Sequence, residues 1–158
     1  MKIKGQKIEG PNMEIIPIPR GDSQIVFQAQ AVLDFDPFEK LCPEPKPPMK
    51  MLPGGREVPD LEDKKYKDEI DKHNQKRMAW MILKSLEATE GLEWEIVNLL
   101  DSDTWLKYDE ELKKAGFSHM EIMRIVTGVM DVNSLNEDKI EEARKRFLSS
   151  QAVKSPDG

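Results

Sequence analysis

Ile25, Phe27, Ala29, Ala31 and Leu33 recur at every second position of QIVFQAQAVLDF, while Gln28 and Gln30 occupy the opposite face between Val26 and Val32. Successive side chains of a strand point to opposite faces, so this alternation predicts a half-buried β-strand. The preceding MEIIPIP supplies a second arm, and PRGDSQ, punctuated by Gly21-Asp22, supplies the turn between them. Pro17 and Pro19 have no N–H to contribute to a ladder, which places this arm at an edge. KIKGQKIEG predicts a further short hairpin. A sheet of two or three strands is marginal alone, so the module is expected to lean on the helices or on another chain.

Beyond residue 35 the period changes. FDPFEKLCP predicts a short helix, with Asp36 as cap, Pro37 at the first helical position and Pro43 as the stop. The stretch PEPKPPMKMLPGGREVP is broken by Pro43, Pro45, Pro47, Pro48, Pro53 and Pro59 and predicts an extended connector without helix or ladder. From Asp60 a single helix is expected to continue through KRMAWMILKSLEAT until Gly91 ends it. LEWEIVNLL fits neither period. DSDTWLKYDEELKKAG reads as a helix capped by Asp101 or Asp103 and stopped by Gly116, with Trp105, Tyr108 and Leu112 on one face. In FSHMEI, Ser118 and Glu121 form a capping box, with Phe117 and Ile122 as its hydrophobic staple. Ile122, Ile125, Val126 and Val129 form the buried stripe of the helix that follows. In EDKIEEARKRFLSS the stripe is Ile140, Ala143, Phe147 and Leu148, with Leu135 placed to staple onto Ile140.

The fold class is therefore α+β. A small N-terminal antiparallel β-module with a short helix (1–42) is joined by a Pro-rich connector (43–59) to a helical domain of four to five helices (60–149). A disordered tail (150–158) is expected to follow.

The apolar run Met78 to Leu83 has no polar interruption, so its side chains point in more than one direction. On a helical wheel Met78, Ile82 and Leu86 share one face with Met81 beside them, while Ala79, Trp80 and Leu83 spread onto the adjoining arc. Most of the run is expected in the core. The surface proposed for a partner comprises Met78, Trp80, Met81 and Trp94. Met120, Met123 and Met130 lie in the same helical half, and methionine is an adaptable residue common where helices of varied sequence bind.

Charge narrows the partners. The net charge is −6, and charged residues make up 34% of the 158 positions. A pI near 5.1 opposes phosphate-driven nucleic-acid binding. Cys42 is the single cysteine, which rules out an intrachain disulfide. The N-terminus has no apolar signal region, and no run reaches the length of a membrane span. The chain reads as soluble and intracellular.

Neither His73 nor His119 belongs to a metal-ligand motif, and Glu121 is accounted for as a cap. The acidic cluster Asp60–Asp63 lacks the spacing of a calcium loop. Gly54-Gly55-Arg56 lacks the Lys-Ser/Thr of a phosphate loop. A Cys42 nucleophile would need a histidine delivered by the fold. No catalytic residue, metal, cofactor or small-molecule substrate is expected.

KRMAWMILKSLEATEGLEWEIV, DTW, EELKKAGFSHMEIMRIV and NSLNEDKIEEARKRFL together resemble the tail assembly chaperones of long-tailed, siphovirus-type bacteriophages. IPRGDSQIVFQAQAVLDFDPFEKLCPEPKPP resembles the β-leader of the same proteins, so the likeness spans roughly residues 1 to 150. The resemblance implies a non-enzymatic protein of the host cytoplasm. Such proteins bind the tape-measure protein, help recruit tail-tube subunits and are usually absent from the finished particle. Many are made in short and frameshift-extended forms. Self-association is left open. The alternative is a permanent virion protein of the tail or head–tail junction, whose β-edge adds to a neighbour's sheet.

Overall fold

The alternating arms form one long hairpin in the computed structural model, which describes residues 1–154. Strand β3 (Met13–Arg20) pairs antiparallel with β4 (Ser23–Gln30), in register from Met13 opposite Gln30 to Arg20 opposite Ser23. Gly21-Asp22 is the two-residue loop, and Gly21 has φ +57°, the left-handed conformation such tight turns use. Arg20 and Ser23 close the loop, so ladder bonds fall at alternate pairs from there. Pro17 and Pro19 lie at the intervening pairs, opposite Val26 and Gln24. Their nitrogens therefore face away from β4, and no ladder bond is lost.

The same parity turns the backbone of Gln28 outward on β4. Its N–H donates to Thr89 Oγ1 (2.9 Å), and the Thr89 hydroxyl donates back to its carbonyl (3.0 Å). One side chain thus satisfies this part of the outer edge of β4. A smaller hairpin, β1 (Lys2–Ile3) with β2 (Gln6–Lys7), precedes this one. Helix α1 (Asp36–Leu41) follows it.

Helix α2 (Lys64–Leu86) is the centre of the molecule. Its apolar run is covered on both sides. On one, Met81, Ile82 and Leu86 pack with Ile16, Ile18, Phe27 and Ala29 of the hairpin and with Leu112, Ile122, Ile125, Val129 and Val132. On the other, Ala79, Trp80 and Leu83 pack with Phe38, Val97 and Trp105. Each of the larger aliphatic and Phe side chains among these contributes about 1.5–3 kcal/mol when fully buried. The hairpin thus supplies one wall of the same core as the helices, which removes the marginality of an isolated two-stranded sheet.

Helices α3 (Tyr108–Lys114) and α4 (His119–Val132) complete this body, and α5 (Glu137–Lys154) extends from it. The capping box is formed: Glu121 N–H donates to Ser118 Oγ (3.2 Å) and Ser118 N–H to Glu121 Oε2 (2.7 Å). Asn133, at the C-terminal end of α4, ties three segments together. Its Oδ1 accepts from Val32 N–H (2.9 Å), and its Nδ2 donates to the buried Ser85 hydroxyl (2.9 Å) and the Val129 carbonyl (2.8 Å).

Several expectations are corrected. The Pro-rich stretch does form a ladder, a short hairpin of β5 (Met49–Met51) and β6 (Glu57–Pro59). Its prolines lie outside the two strands or at the last residue, Pro59, and Gly54 and Gly55 make the turn with positive φ. Helix α2 starts four residues later than the pattern suggested, because the Asp63 carboxylate accepts from Tyr66 N–H (2.9 Å) and caps it there. Asp36 is the first residue of α1 rather than its cap, and Asp34 Oδ1 accepts its N–H (2.9 Å).

The 92–100 segment has no regular structure. The Glu111 carboxylate of α3 holds it by accepting the N–H groups of Glu95, Ile96 and Val97. The expected helix from Asp101 is a 3-10 turn (Trp105–Lys107) leading into α3. The tail expected to be disordered from residue 150 is helical as far as Lys154, and residues 155–158 lie outside the described residues. The Ile140, Ala143, Phe147 and Leu148 stripe lies on a helix with no buried residue.

Candidate functional site

The four residues proposed for a partner separate into core and surface. Trp80 is 2% exposed and Met81 5%. Both are core residues, which corrects their assignment to a contact surface. Trp80 lies in an aromatic cluster, 5.4 Å from the Phe35 ring and 5.8 Å from Phe38, which in turn is 5.8 Å from Trp105. Trp94 is half-buried between the two core clusters. Met78 alone is substantially open, at 40%. It lines a concavity of about 420 Å³ with Val32, Phe35, Arg77 and Leu135, and the Arg77 guanidinium covers the Phe35 ring at 4.7 Å.

A larger apolar groove of about 640 Å³ runs between the free edge of β3 and α4. Ile15, Pro17 and Pro19 form one wall, Met120 and Met123 the other. The α4 stripe that faces the core is Ile122, Ile125, Val129 and Val132, which leaves Met120 (71% exposed) and Met123 off that arc. Gly128 lies deep in the groove, where α4 meets β3. A Cβ there would sit 2.4 Å from Ile16 Cδ1, so only glycine permits this approach.

One end of the groove is fixed by Arg20. It pairs with Glu121 (3.1 Å), donates to the Gly116 carbonyl (3.3 Å) and lies over the Phe117 ring at 5.1 Å. The Ser118 N–H, and with it the Arg20 charge, holds the Glu121 carboxyl below its ordinary pKa. At the other end is Asp131. Burial raises its pKa, but hydrogen bonds from Lys139 and Asn136 outweigh this and leave it lowered.

The third apolar surface is α5. Ile140, Phe147 and Leu148 are exposed, with Phe147 at 56%. Among the described residues, the hydrogen bonds that tie the helix to the body lie near its start. Lys139 Nζ donates to Asp131 Oδ2 (2.6 Å), Asn136 Nδ2 to Asp131 Oδ1 (2.8 Å) and Leu135 N–H to the Met130 carbonyl (2.9 Å).

The fold does bring a histidine to Cys42, but His73 Nε2–H donates to the Cys42 carbonyl (3.1 Å). Burial, the largest influence, pushes the Cys42 thiol pKa up, whereas an activated thiol needs it lowered. Among the described residues no three His, Cys, Asp or Glu side chains gather as metal ligands. No helix among them is long and apolar enough to cross a membrane.

Comparison with protein-family models, with curated proteins and with solved structures gives no match to this chain.

The groove residues carried a signal in the sequence. Met120 and Met123 fall outside the apolar arc of their own helix, so large apolar side chains were due at the surface. Ile15 and Pro17 carried none, because only the docking of the hairpin decides which of its edges is left open.

Proposed function

We propose that the protein is a non-enzymatic tail assembly chaperone of a long-tailed bacteriophage. It acts in the host cytoplasm by binding the tape-measure protein and tail-tube subunits during tail morphogenesis. The observation that carries this reading is the methionine-walled groove between β3 and α4. Tape-measure proteins are long and helical, and a helix laid in a groove is read through its apolar face at i, i+3, i+4 and i+7. Flexible thioether side chains suit a groove that meets many such segments in turn. The resemblance of roughly residues 1 to 150 to phage tail chaperones suggests the identity of the client.

The free edge of β3 speaks against the alternative of a virion protein that adds to a neighbour's sheet. Pro17 and Pro19 leave that edge without N–H donors at two positions, which is how edge strands avoid augmentation.

The test is co-expression of the full chain with the tape-measure protein of the same phage, followed by capture of the chain. Met120→Asp with Met123→Asp lowers the captured tape-measure protein about tenfold or more, as loss of central apolar contacts does. Undiminished capture by this double variant removes the groove from the reading. Mass spectrometry of mature particles beside the lysate tests the role itself. Abundance in the lysate and absence from particles fits a chaperone; fixed stoichiometry in particles makes the protein a virion component.

A further inference from the structure

Helix α5 combines an open apolar stripe with a polarised charge pattern. Its first third carries Glu137, Asp138, Glu141 and Glu142, and the remainder carries Arg144, Lys145, Arg146 and Lys154. The one cation in the acidic part, Lys139, is engaged by Asp131. Along the stripe, Ala143 stands three residues after Ile140 and four before Phe147. None of these side chains is buried: Ile140 is 37% exposed and Phe147 56%. A helix in water draws most of its stability from packing of its apolar face, so this face is built to be covered.

We propose that α5 pairs antiparallel with α5 of a second copy of this chain, forming a two-fold dimer. Reversal of direction sets Ile140 of one copy against Phe147 of the other. The small Ala143 falls on the two-fold axis, where the backbones approach most closely. Glu137 and Glu141 share one flank of the stripe with Arg144 and Lys145. In an antiparallel two-fold pair each flank meets the same flank of the other copy, running in reverse. With Ile140 opposite Phe147, Glu141 of one copy lies beside Arg144 and Lys145 of the other, twice, while Glu137 lies opposite the neutral Ser150. A parallel pair sets acid against acid and base against base, which is disfavoured. The pairing involves a different face from the β3–α4 groove and is independent of what that groove binds.

Sedimentation equilibrium of the full chain tests the proposal. The chain sediments as a dimer whose affinity falls as salt is raised, since the flanking charges are exposed. Phe147→Asp raises the dissociation constant about 30-fold or more, the effect of losing a central anchor. It leaves the thermal unfolding of the body unchanged, because Phe147 contributes nothing to that core. The doubly substituted chains Glu137→Lys/Glu141→Lys and Arg144→Glu/Lys145→Glu are each monomeric, and an equimolar mixture of the two restores the dimer. In a Cys42→Ser background, Ala143→Cys links the two copies on oxidation and Gln151→Cys does not.

A chain that remains monomeric to millimolar concentration overturns the proposal. So does a dimer indifferent to Phe147→Asp, which uses another face. Linking through Gln151→Cys overturns the antiparallel orientation.

Discussion

Helices α4 and α5 are adjacent in the chain and carry apolar stripes of similar period, yet one stripe is buried and the other is open. Ile122, Ile125, Val129 and Val132 of α4 meet a hairpin whose inner face is equally apolar. Ile140, Phe147 and Leu148 of α5 stay exposed and join neither core cluster of the described residues. The divergence begins at the junction. Ser134 adopts a left-handed conformation (φ +59°), and the bonds of Asn136 and Lys139 to Asp131 fix the direction in which α5 leaves. An amphipathic stripe states that a face is to be covered; it does not state by what.

The contrast is sharpest in core truncation. Trp80→Ala is expected to cost about 3–5 kcal/mol, because a large buried ring leaves a cavity its neighbours fill only partly. Phe147→Ala, measured at concentrations where the chain is monomeric, is expected within about 0.5 kcal/mol of the parent. Urea unfolding of both decides it. A mild Trp80→Ala or a severe Phe147→Ala would collapse the distinction between the two helices.

Next comes the contact that seats α4 on the hairpin. Gly128→Ala is expected to destabilise by about 1–3 kcal/mol through overpacking against Ile16. This is contrary to the gain of helix propensity that alanine brings at an open helical position. A stabilised Gly128→Ala would show that the groove floor is looser than the Ile16 approach implies.

The smallest effects lie at the entry to α4. Ser118→Ala is expected to cost about 1 kcal/mol, as loss of an N-cap does. Glu121 has a lowered pKa in the folded state, so its contribution is complete above the ordinary glutamate range and is lost as pH falls through the depressed folded value. The parent and Glu121→Gln should therefore differ in stability at neutral pH and converge in acid. An equal difference at both pH values would remove the carboxylate charge from the account of this cap.

Much of the secondary structure was legible because it rests on neighbours in sequence. Alternation identified the β3–β4 pair, and Gly21-Asp22 its loop. Ser118 and Glu121 announced the start of α4 three residues apart. The β5–β6 hairpin was hidden by proline count, although the prolines stand where no ladder bond is needed. The segment 92–100 was illegible because the N–H groups of Glu95, Ile96 and Val97 are satisfied by Glu111, a side chain from the following helix. The proposed contact residues divided for a related reason. Trp80 and Met78 are two positions apart in one uninterrupted apolar run, and that run holds no information about how many of its sides a fold will cover.

What the sequence by itself determined is the set of elements with local causes: the periods, the caps, the turns and the apolar content of each face. Which apolar faces meet was decided only in the tertiary structure. Burial is a property of pairs of surfaces, and the hairpin, α1 and the 92–107 segment between them enclose Trp80 and Met81 while leaving Met120, Met123 and the α5 stripe open.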